Sequence, residues 1–202
     1  MKKILLAVAL IAATSHTLAD PIVGNNVRGA YGFISDDTIE ADSTSALALS
    51  VDYFINDGYF IQVSSLNQTF KVDVFEIKSS SMINRLAIGT ELPVSTGVNL
   101  FSSVGFDLLS AKTDGTALGV SFSTKASGTA FDVVGGVRAR TGDFLSEISY
   151  GYMFGELDGV SVDGGSVNAT TAYDLGNSFA PMISVRLESD AKAFLFGAAY
   201  MF

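Results

Sequence analysis

Charged side chains recur at even intervals in several apolar segments of this chain. In residues 131–140, for example, Asp132, Arg138 and Arg140 lie among valines and glycines and are spaced by even numbers of residues. Successive side chains of an extended strand point to opposite faces, so even spacing places these charges on one face. A face that carries both guanidinium and carboxylate groups can form charge-assisted hydrogen bonds. The spacing therefore predicts ion pairing as the main chemistry of these residues.

The same alternation assigns a larger set of residues to this charged face. The candidate functional residues are Arg28, Asp52, Arg85, Glu91, Asp107, Asp132, Arg138, Glu147 and Arg186. Gln62, Arg140 and Glu188 share the face, which therefore receives all five arginines of the sequence. In a narrow lumen we expect each guanidinium to pair with a carboxylate, because its planar donors match the carboxylate oxygens.

Histidine and cysteine are missing from residues 20–202, since the one histidine is His16 and the sequence contains no cysteine. Histidine is the usual general base and metal ligand, and cysteine supplies the thiol nucleophile. We therefore expect no enzymatic activity, no catalytic residues, no bound metal and no cofactor. Two carboxylates can support hydrolysis in principle, but no pair of them stands out here.

Turn signals divide the chain into ten alternating segments, for which we predict ten strands. Tight turns are expected at 56–58, 95–97, 141–143 and 175–177, and longer polar connections at 35–42, 66–80, 110–127, 156–165 and 189–191. The weakest segments are 166–174, which is mostly small and polar, and 179–188, which contains Pro181. If both belonged to one loop the number of strands would be eight, and this alternative stays open.

Large apolar side chains occupy the faces opposite the charges, for example Tyr150, Tyr152 and Phe154. The chain is 48% hydrophobic, yet no segment after residue 20 has the length of uninterrupted apolar sequence that a transmembrane helix needs. This pattern is typical of an all-β, closed antiparallel transmembrane β-barrel that shows its apolar face to lipid. An arginine facing lipid at the bilayer midplane costs about 2–4 kcal/mol, so the charged face should point inward.

The inward charges have two interpretations. They could form a salt-bridged core that fills a narrow barrel, as side chains do in small barrels. They could instead line a narrow polar channel. Small inward residues such as Ser50, Ser64, Gly105 and Gly136 should leave gaps in the interior, and such gaps keep the channel interpretation open.

The N-terminus has the features of a cleaved secretory signal peptide. Met1-Lys2-Lys3 is basic, residues 4–13 are apolar, and small residues precede Asp20. The apolar stretch is too short to cross a bilayer. We expect a signal peptide at 1–19 and a single barrel domain at 20–202. The formal net charge of −9 argues against nucleic acid as a partner, because phosphate binding requires clustered cations.

The chain resembles the small outer-membrane β-barrel, porin-like superfamily of bacteria. The resemblance rests on the signal peptide, on the glycine- and aromatic-rich segment Glu147-Ile-Ser-Tyr-Gly-Tyr152, and on the C-terminal Phe194-Leu-Phe-Gly-Ala-Ala-Tyr-Met-Phe202. It differs from the family in Met201, where relatives often have a basic residue, and in having no tryptophan. The resemblance implies a barrel in the outer membrane whose terminal strand is recognised by the barrel-assembly machinery through Phe202.

Members of that superfamily range from passive structural barrels to adhesins, resistance factors and narrow pores. For this chain we expect a porin-like narrow channel or an envelope-stabilising barrel. The alternative is a surface adhesin or interaction protein that acts through extracellular loops. Expected partners are outer-membrane lipid and lipopolysaccharide, and we expect a monomer because the lipid-facing residues show no polar interface.

Overall fold

The computed structural model describes residues 24–36, 43–56, 58–72, 76–117, 120–188 and 191–202. They form a closed antiparallel barrel of ten strands, which confirms the predicted fold class. No helix in these ranges is long and apolar enough to cross a membrane. The predicted signal peptide at 1–19 lies outside the described residues, as does most of the predicted connection at 35–42.

Each strand pairs with its neighbours in sequence, and the first strand pairs with the last. The strands are β1 (Asn26–Asp36), β2 (Ser43–Asn56), β3 (Tyr59–Val72), β4 (Ile77–Ser95), β5 (Val98–Ala117), β6 (Val120–Thr141), β7 (Phe144–Leu157), β8 (Val160–Tyr173), β9 (Phe179–Leu187) and β10 (Ala191–Met201).

The two ends of the barrel differ. One end contains the start of β1, the end of β10 and the tight turns before β3, β5, β7 and β9. We call it the terminal end, and we call the opposite end the loop end. The seam between β1 and β10 continues to the end of the chain, where the Phe202 amide donates to the Asn25 carbonyl at 3.0 Å.

The two strands in doubt from the sequence are both present, so the eight-strand alternative is wrong. Pro181 lies inside β9 but does not interrupt the sheet. Between β8 and β9, paired residues run from Val167 opposite Leu187 to Ala172 opposite Met182. The pairing therefore ends at Met182, the residue next to Pro181. A proline without an amide hydrogen is tolerated at such a position, because no ladder bond to β8 is required of it.

Three of the predicted connections are largely strand, and the prediction of long loops there is wrong. The connection predicted at 110–127 consists mostly of β5 and β6, which are 20 and 22 residues long. The connection predicted at 156–165 contains only a two-residue turn, at Asp158 and Gly159. In the connection predicted at 66–80, most residues belong to β3 and β4. A membrane-crossing strand needs only about 9–11 residues. Beyond that length no lipid demands apolar alternation, so pairing continues through polar residues such as Ser79 and Thr113, whose hydroxyls lie 3.0 Å apart.

The outer surface carries the exposed apolar band that lipid requires. Aromatic rings mark its two edges. Towards the loop end, the rings of Phe106, Phe131 and Phe154 contact one another across three strands, edge-on and tilted, with centroid separations of 5.4 and 6.2 Å. At the terminal end, the Phe144 and Tyr173 rings lie 5.1 Å apart. Two aromatic girdles that flank an apolar band are characteristic of transmembrane barrels.

The interior contains apolar clusters as well as charged residues. Two clusters of small and aliphatic residues fill the side formed mainly by β1, β2 and β7–β10. Their buried members are Ala30, Ile34, Ala46, Ala193 and Leu195 in one, and Leu145, Ala172, Ala180 and Ala199 in the other. Charged residues lie on these strands as well as on β4–β6, for example Arg28 on β1 and Asp52 on β2, and they must find polar partners of their own.

We predict that Gly197→Val destabilises the barrel by about 1–3 kcal/mol, because overpacking forces the backbone to move. A Cβ at Gly197 would lie 2.0 Å from the Gly29 carbonyl oxygen across the β1–β10 seam. Gly164→Val is the control, since a Cβ there meets nothing within 4 Å. The free energy of unfolding of the refolded barrels in urea gives the difference, and equal values would contradict the packing of the seam.

Candidate functional site

Arg138 is the centre of the interior charge network. Its side chain is 1% exposed and binds carboxylates from three other strands. The Nη1 atom lies 2.7 Å from Glu91 Oε2, and Nε lies 2.9 Å from Glu147 Oε2. The Nη2 atom lies 3.7 Å from Asp52 Oδ2. A single guanidinium on β6 therefore ties β2, β4 and β7 together across the lumen.

A second arginine completes this group. Arg28 on β1 is ion-paired with Asp52, and its Nη1 atom lies 3.5 Å from Glu147 Oε2. We call Arg28, Asp52, Glu91, Arg138 and Glu147 the terminal-end cluster. Two cations share three carboxylates, and Asp52 has no solvent exposure. Removing ions from water is favourable only when they are paired and hydrogen-bonded this fully.

Neutral side chains satisfy the remaining oxygens and connect the cluster to a second ion pair. The Asn99 amide donates to Glu91 Oε1 at 2.7 Å, and the Gln62 amide donates to Asp52 Oδ1 at 2.7 Å. Gln62 also accepts a hydrogen bond from Arg85. One amide therefore joins the terminal-end cluster to the layer above it.

Arg85 forms that upper layer with Asp132. The Arg85 Nε atom donates to Asp132 Oδ2 at 2.8 Å, and Nη2 donates to Ser103 Oγ at 2.9 Å. A Cβ at Gly105 would lie 2.0 Å from Asp132 Oδ1 and 2.7 Å from Arg85 Nε. The Arg85–Asp132 ion pair therefore occupies space that a side chain at residue 105 would fill.

Two phenylalanine rings enclose the Arg138 guanidinium. Its central carbon lies 4.4 Å from the Phe101 ring centroid and 5.2 Å from the Phe60 centroid. A cation over an aromatic face gains electrostatic attraction that increases when water is excluded. The rings and the ion pairs together fill the lumen near the terminal end.

Each of these rings lies opposite a glycine on the neighbouring strand. Phe60 pairs with Gly89, and Phe101 pairs with Gly136. A Cβ at Gly89 would lie 2.3 Å from the Phe60 ring, and one at Gly136 would lie 2.7 Å from the Phe101 ring. The expectation that small inward residues leave gaps is therefore wrong at these positions, because the rings and the Arg85–Asp132 pair fill the space.

Above the filled region lies a cavity of about 450 Å³ that is lined by both charged and apolar residues. Arg138, Phe60 and Phe101 line its floor, and it extends along the barrel to Arg186 and Glu188 near the loop end. We call this cavity the vestibule. Its upper charged residues retain solvent exposure, whereas Arg138 at the floor has almost none.

Not every predicted charge joins the network. Arg186 pairs with Glu188 at 2.7 Å near the loop end rather than with a partner across the lumen. Arg140 pairs with Asp174 at 2.7 Å at the terminal end, where its side chain is 43% exposed. Asp107 is buried opposite Arg85 in the register and lines the vestibule. Within the described ranges it has no ion pair, so the expected pairing fails at this position.

Phe60, Phe101 and Asn99 were not anticipated as part of the site. The signal was present in the sequence, since all three occupy inward positions of their strands close to tight turns. A phenylalanine that faces inward and meets a glycine across the sheet marks a filled section of a lumen. Finding it requires the register, which pairs residues as distant in sequence as Phe101 and Gly136.

The site offers no arrangement suited to a metal ion. Among the residues that the structure describes, no three histidine, cysteine, aspartate or glutamate side chains come together as a metal site would require. The carboxylates of the terminal-end cluster are directed at guanidinium groups instead.

We predict that Arg138→Met lowers the free energy of unfolding by about 3–5 kcal/mol, because it leaves buried carboxylates without their cation. Arg140→Met is a control on the same strand and should change stability by only about 0–1 kcal/mol, since its ion pair is exposed. Urea unfolding of both refolded proteins measures the difference. Equal losses would show that the Arg138 contacts contribute no more than a surface pair.

Known folds resemble the whole barrel. The translocator domain of the autotransporter NalP from Neisseria meningitidis superimposes with a TM-score of 0.57 at 11% identity, over 100% of this chain and 94% of that one. The β-domain of the Bordetella autotransporter BrkA gives a TM-score of 0.54 at 12% identity, over 89% and 100%. Ail, the attachment invasion locus protein of Yersinia pestis, gives 0.45 at 18% identity, over 89% and 99%. No curated protein matches the sequence.

The sequence itself matches a family model. Residues 4–202 fit the model described as the outer membrane protein beta-barrel domain, which covers nearly the entire chain. The match agrees with the ten-strand closed barrel, the exposed apolar band and the inward charges. The chain therefore belongs to the outer membrane protein β-barrel family and resides in the outer membrane of a bacterium.

Proposed function

We propose that this protein is an envelope-stabilising barrel whose lumen does not conduct ions. The observation that carries the proposal is the burial of Arg138, which is 1% exposed between two phenylalanine rings and three carboxylates. Among the two interpretations of the inward charges, this arrangement favours the salt-bridged core over the open channel.

An ion that crossed the barrel would have to pass through the terminal-end cluster. It would separate Arg138 from Glu91 and Glu147, which lie at hydrogen-bonding distance. Removing one partner from a buried pair costs about 3–5 kcal/mol, and this path would disturb two pairs at once. The aromatic rings flank the guanidinium at 4.4 and 5.2 Å and limit its movement towards the walls on which they lie.

A narrow channel remains the second candidate, and the vestibule is the observation in its favour. The cavity of about 450 Å³, which has charged and hydroxyl side chains in its lining, extends from near the loop end as far as Arg138. Conduction would then depend on displacement of the terminal-end cluster. If the cluster is not displaced, we expect the vestibule to end at Arg138, Phe60 and Phe101.

The other alternative is a surface interaction protein, which would have to act through extended strands rather than through the long loops expected from the sequence. The described connections at the loop end are mostly extensions of paired strands, of which β5 and β6 are the longest. Such a protein would present a fixed strand surface rather than flexible loops.

We infer that the protein is not an enzyme and acts as a monomer in lipid. Residues 20–202 contain neither histidine nor cysteine, and four carboxylates of the site, those of Asp52, Glu91, Asp132 and Glu147, are engaged by arginines. Apolar residues such as Tyr31, Leu86 and Ile148 are exposed on different walls of the barrel, so every wall is suited to lipid. The C-terminal strand that ends in Phe202 is the element we propose for recognition by the barrel-assembly machinery.

The proposal is tested by single-channel recording in planar bilayers. Refolded wild-type protein should give no discrete current steps, because the terminal-end cluster closes the lumen. Glu91→Ala combined with Arg138→Ala should produce steps. Arg140→Ala combined with Asp174→Ala removes the same two charge types from an exposed pair and should remain silent.

The recording of the wild-type protein alone tests whether the lumen conducts, even if the Glu91 and Arg138 variant does not fold. Folding of each sample is verified first by circular dichroism and by its migration as a compact band without heating. Discrete steps from folded wild-type protein would contradict the closed lumen and support the narrow channel.

A further inference from the structure

Asp107 is the charged residue of the vestibule that the interior network leaves aside. It is 2% exposed and lines the cavity. Among the residues that the structure describes, none forms a hydrogen bond or an ion pair with its carboxylate. A buried carboxylate without such partners carries a large desolvation cost. A positively charged ligand that enters the vestibule would offset that cost.

The arginine next to Asp107 is fully engaged by other groups. Arg85 lies directly opposite Asp107 on β4, but its three nitrogen atoms donate to Asp132, Gln62 and Ser103. Asp132 accepts that hydrogen bond with Oδ2, and its Oδ1 atom is buried with no hydrogen-bond partner in the described part of the chain. Two carboxylates therefore share one guanidinium, which leaves one negative charge uncompensated at this level of the vestibule.

The other arginines that line the vestibule do not compensate this charge. Arg186 acts on Asp107 only at longer range, because it pairs with Glu188 at 2.7 Å. Arg28 and Arg138 are bound by the carboxylates of the terminal-end cluster. The vestibule therefore has the charge balance of a site for one additional cation.

The shape of the site favours an organic ammonium over a metal ion. Asp132 on β6 lies opposite Gly105, two residues before Asp107 on β5. Such diagonal positions lie about 7–8 Å apart, so both carboxylates attract a cation bound at Asp107. A Ca²⁺ ion takes about 6–8 oxygen ligands, and within the described ranges no three potential metal-binding side chains come together. An ammonium group needs far fewer acceptors, because each of its hydrogens donates singly.

An apolar row lies on the loop side of Asp107. Leu66 on β3 is opposite Ile83 on β4, and Ile83 is opposite Leu109 on β5. Each is one inward position nearer to the loop end than the row that contains Asp107, and both Leu66 and Ile83 line the vestibule. A ligand that arrives from the loop end therefore passes hydrocarbon side chains before it reaches the carboxylate. Apolar walls with one placed polar group are typical of small-molecule sites.

We propose that the vestibule binds a small primary amine, with its ammonium group on Asp107 and its hydrocarbon portion against Leu66 and Ile83. The cavity of about 450 Å³ falls in the range of small-ligand sites, about 300–1,000 Å³. The ammonium donates charge-assisted hydrogen bonds to the Asp107 carboxylate, and Asp132 adds attraction at longer range. The site lies on the loop side of the terminal-end cluster and does not depend on whether the lumen conducts.

An NMR titration of the refolded full chain in detergent micelles with butylamine at neutral pH tests this proposal. Wild-type protein should show saturable shifts of the amide signals of Asp107 and Ile83. Asp107→Asn keeps the shape and removes the charge, and it should weaken the affinity at least about tenfold, because the charge-assisted hydrogen bonds are lost. Asp114→Asn is the control, since it removes an exposed carboxylate of the same strand outside the vestibule, and it should leave the affinity unchanged.

A ligand series on wild-type protein alone tests the chemistry of recognition even if a variant does not fold. Butanol and butyrate have a similar hydrocarbon portion without the positive charge, and both should bind at least about tenfold more weakly than butylamine. Methylamine should bind at least about threefold more weakly, because it cannot cover the apolar row. Sodium at the same concentration should not compete.

Several results would each overturn the proposal. They are the absence of saturable shifts with butylamine, equal affinities of the wild-type and Asp107→Asn proteins, and an equal loss in the Asp114→Asn protein. Binding of butanol or methylamine as tight as that of butylamine, or effective competition by sodium, would do the same.

Discussion

A buried guanidinium must be surrounded by acceptors, and the structure of this barrel follows from how that requirement is met. Lipid excludes charge from the outer wall, so arginines inside the membrane must point into the lumen. A lumen of ten strands is narrow enough for one arginine to reach several opposite walls. Arg138 contacts carboxylates on three other strands there. The same contacts that satisfy the charge therefore also cross the lumen.

Packing around the charges depends on large side chains that lie next to glycines. Each ring that encloses Arg138 faces a glycine across the sheet, and the Arg85–Asp132 pair fills the space left by Gly105. Glycine inside a strand weakens it locally, and the usual compensation is close approach of another group. Here the compensation is an aromatic ring or an ion pair, which converts potential gaps into a filled section. Above that section the interior opens into the vestibule.

Much of the fold could be predicted because lipid imposes a strict alternation on the strands that cross it. That alternation gave the ten strands and the closed barrel, and it put Arg138 and Glu91 on the same face as their partners. It could not give the ends of the strands, since β5 and β6 continue well beyond the membrane where neither face must be apolar. It also could not say which charges meet. Arg138 and Glu91 are brought together by a register across 47 residues of sequence, and Arg186 instead binds a nearby glutamate.

One-sided labelling of a thiol inside the vestibule tests the closed lumen most directly. The sequence contains no cysteine, so Ser64→Cys, which lines the vestibule, reports on access without background. In vesicles with one barrel orientation, a membrane-impermeant maleimide should label this thiol when added at the loop end and not when added at the terminal end. Asn56→Cys, at the exposed terminal end of β2, verifies that the reagent is active on that side. Equal labelling of the Ser64→Cys protein from both sides would show that the terminal-end cluster does not close the barrel.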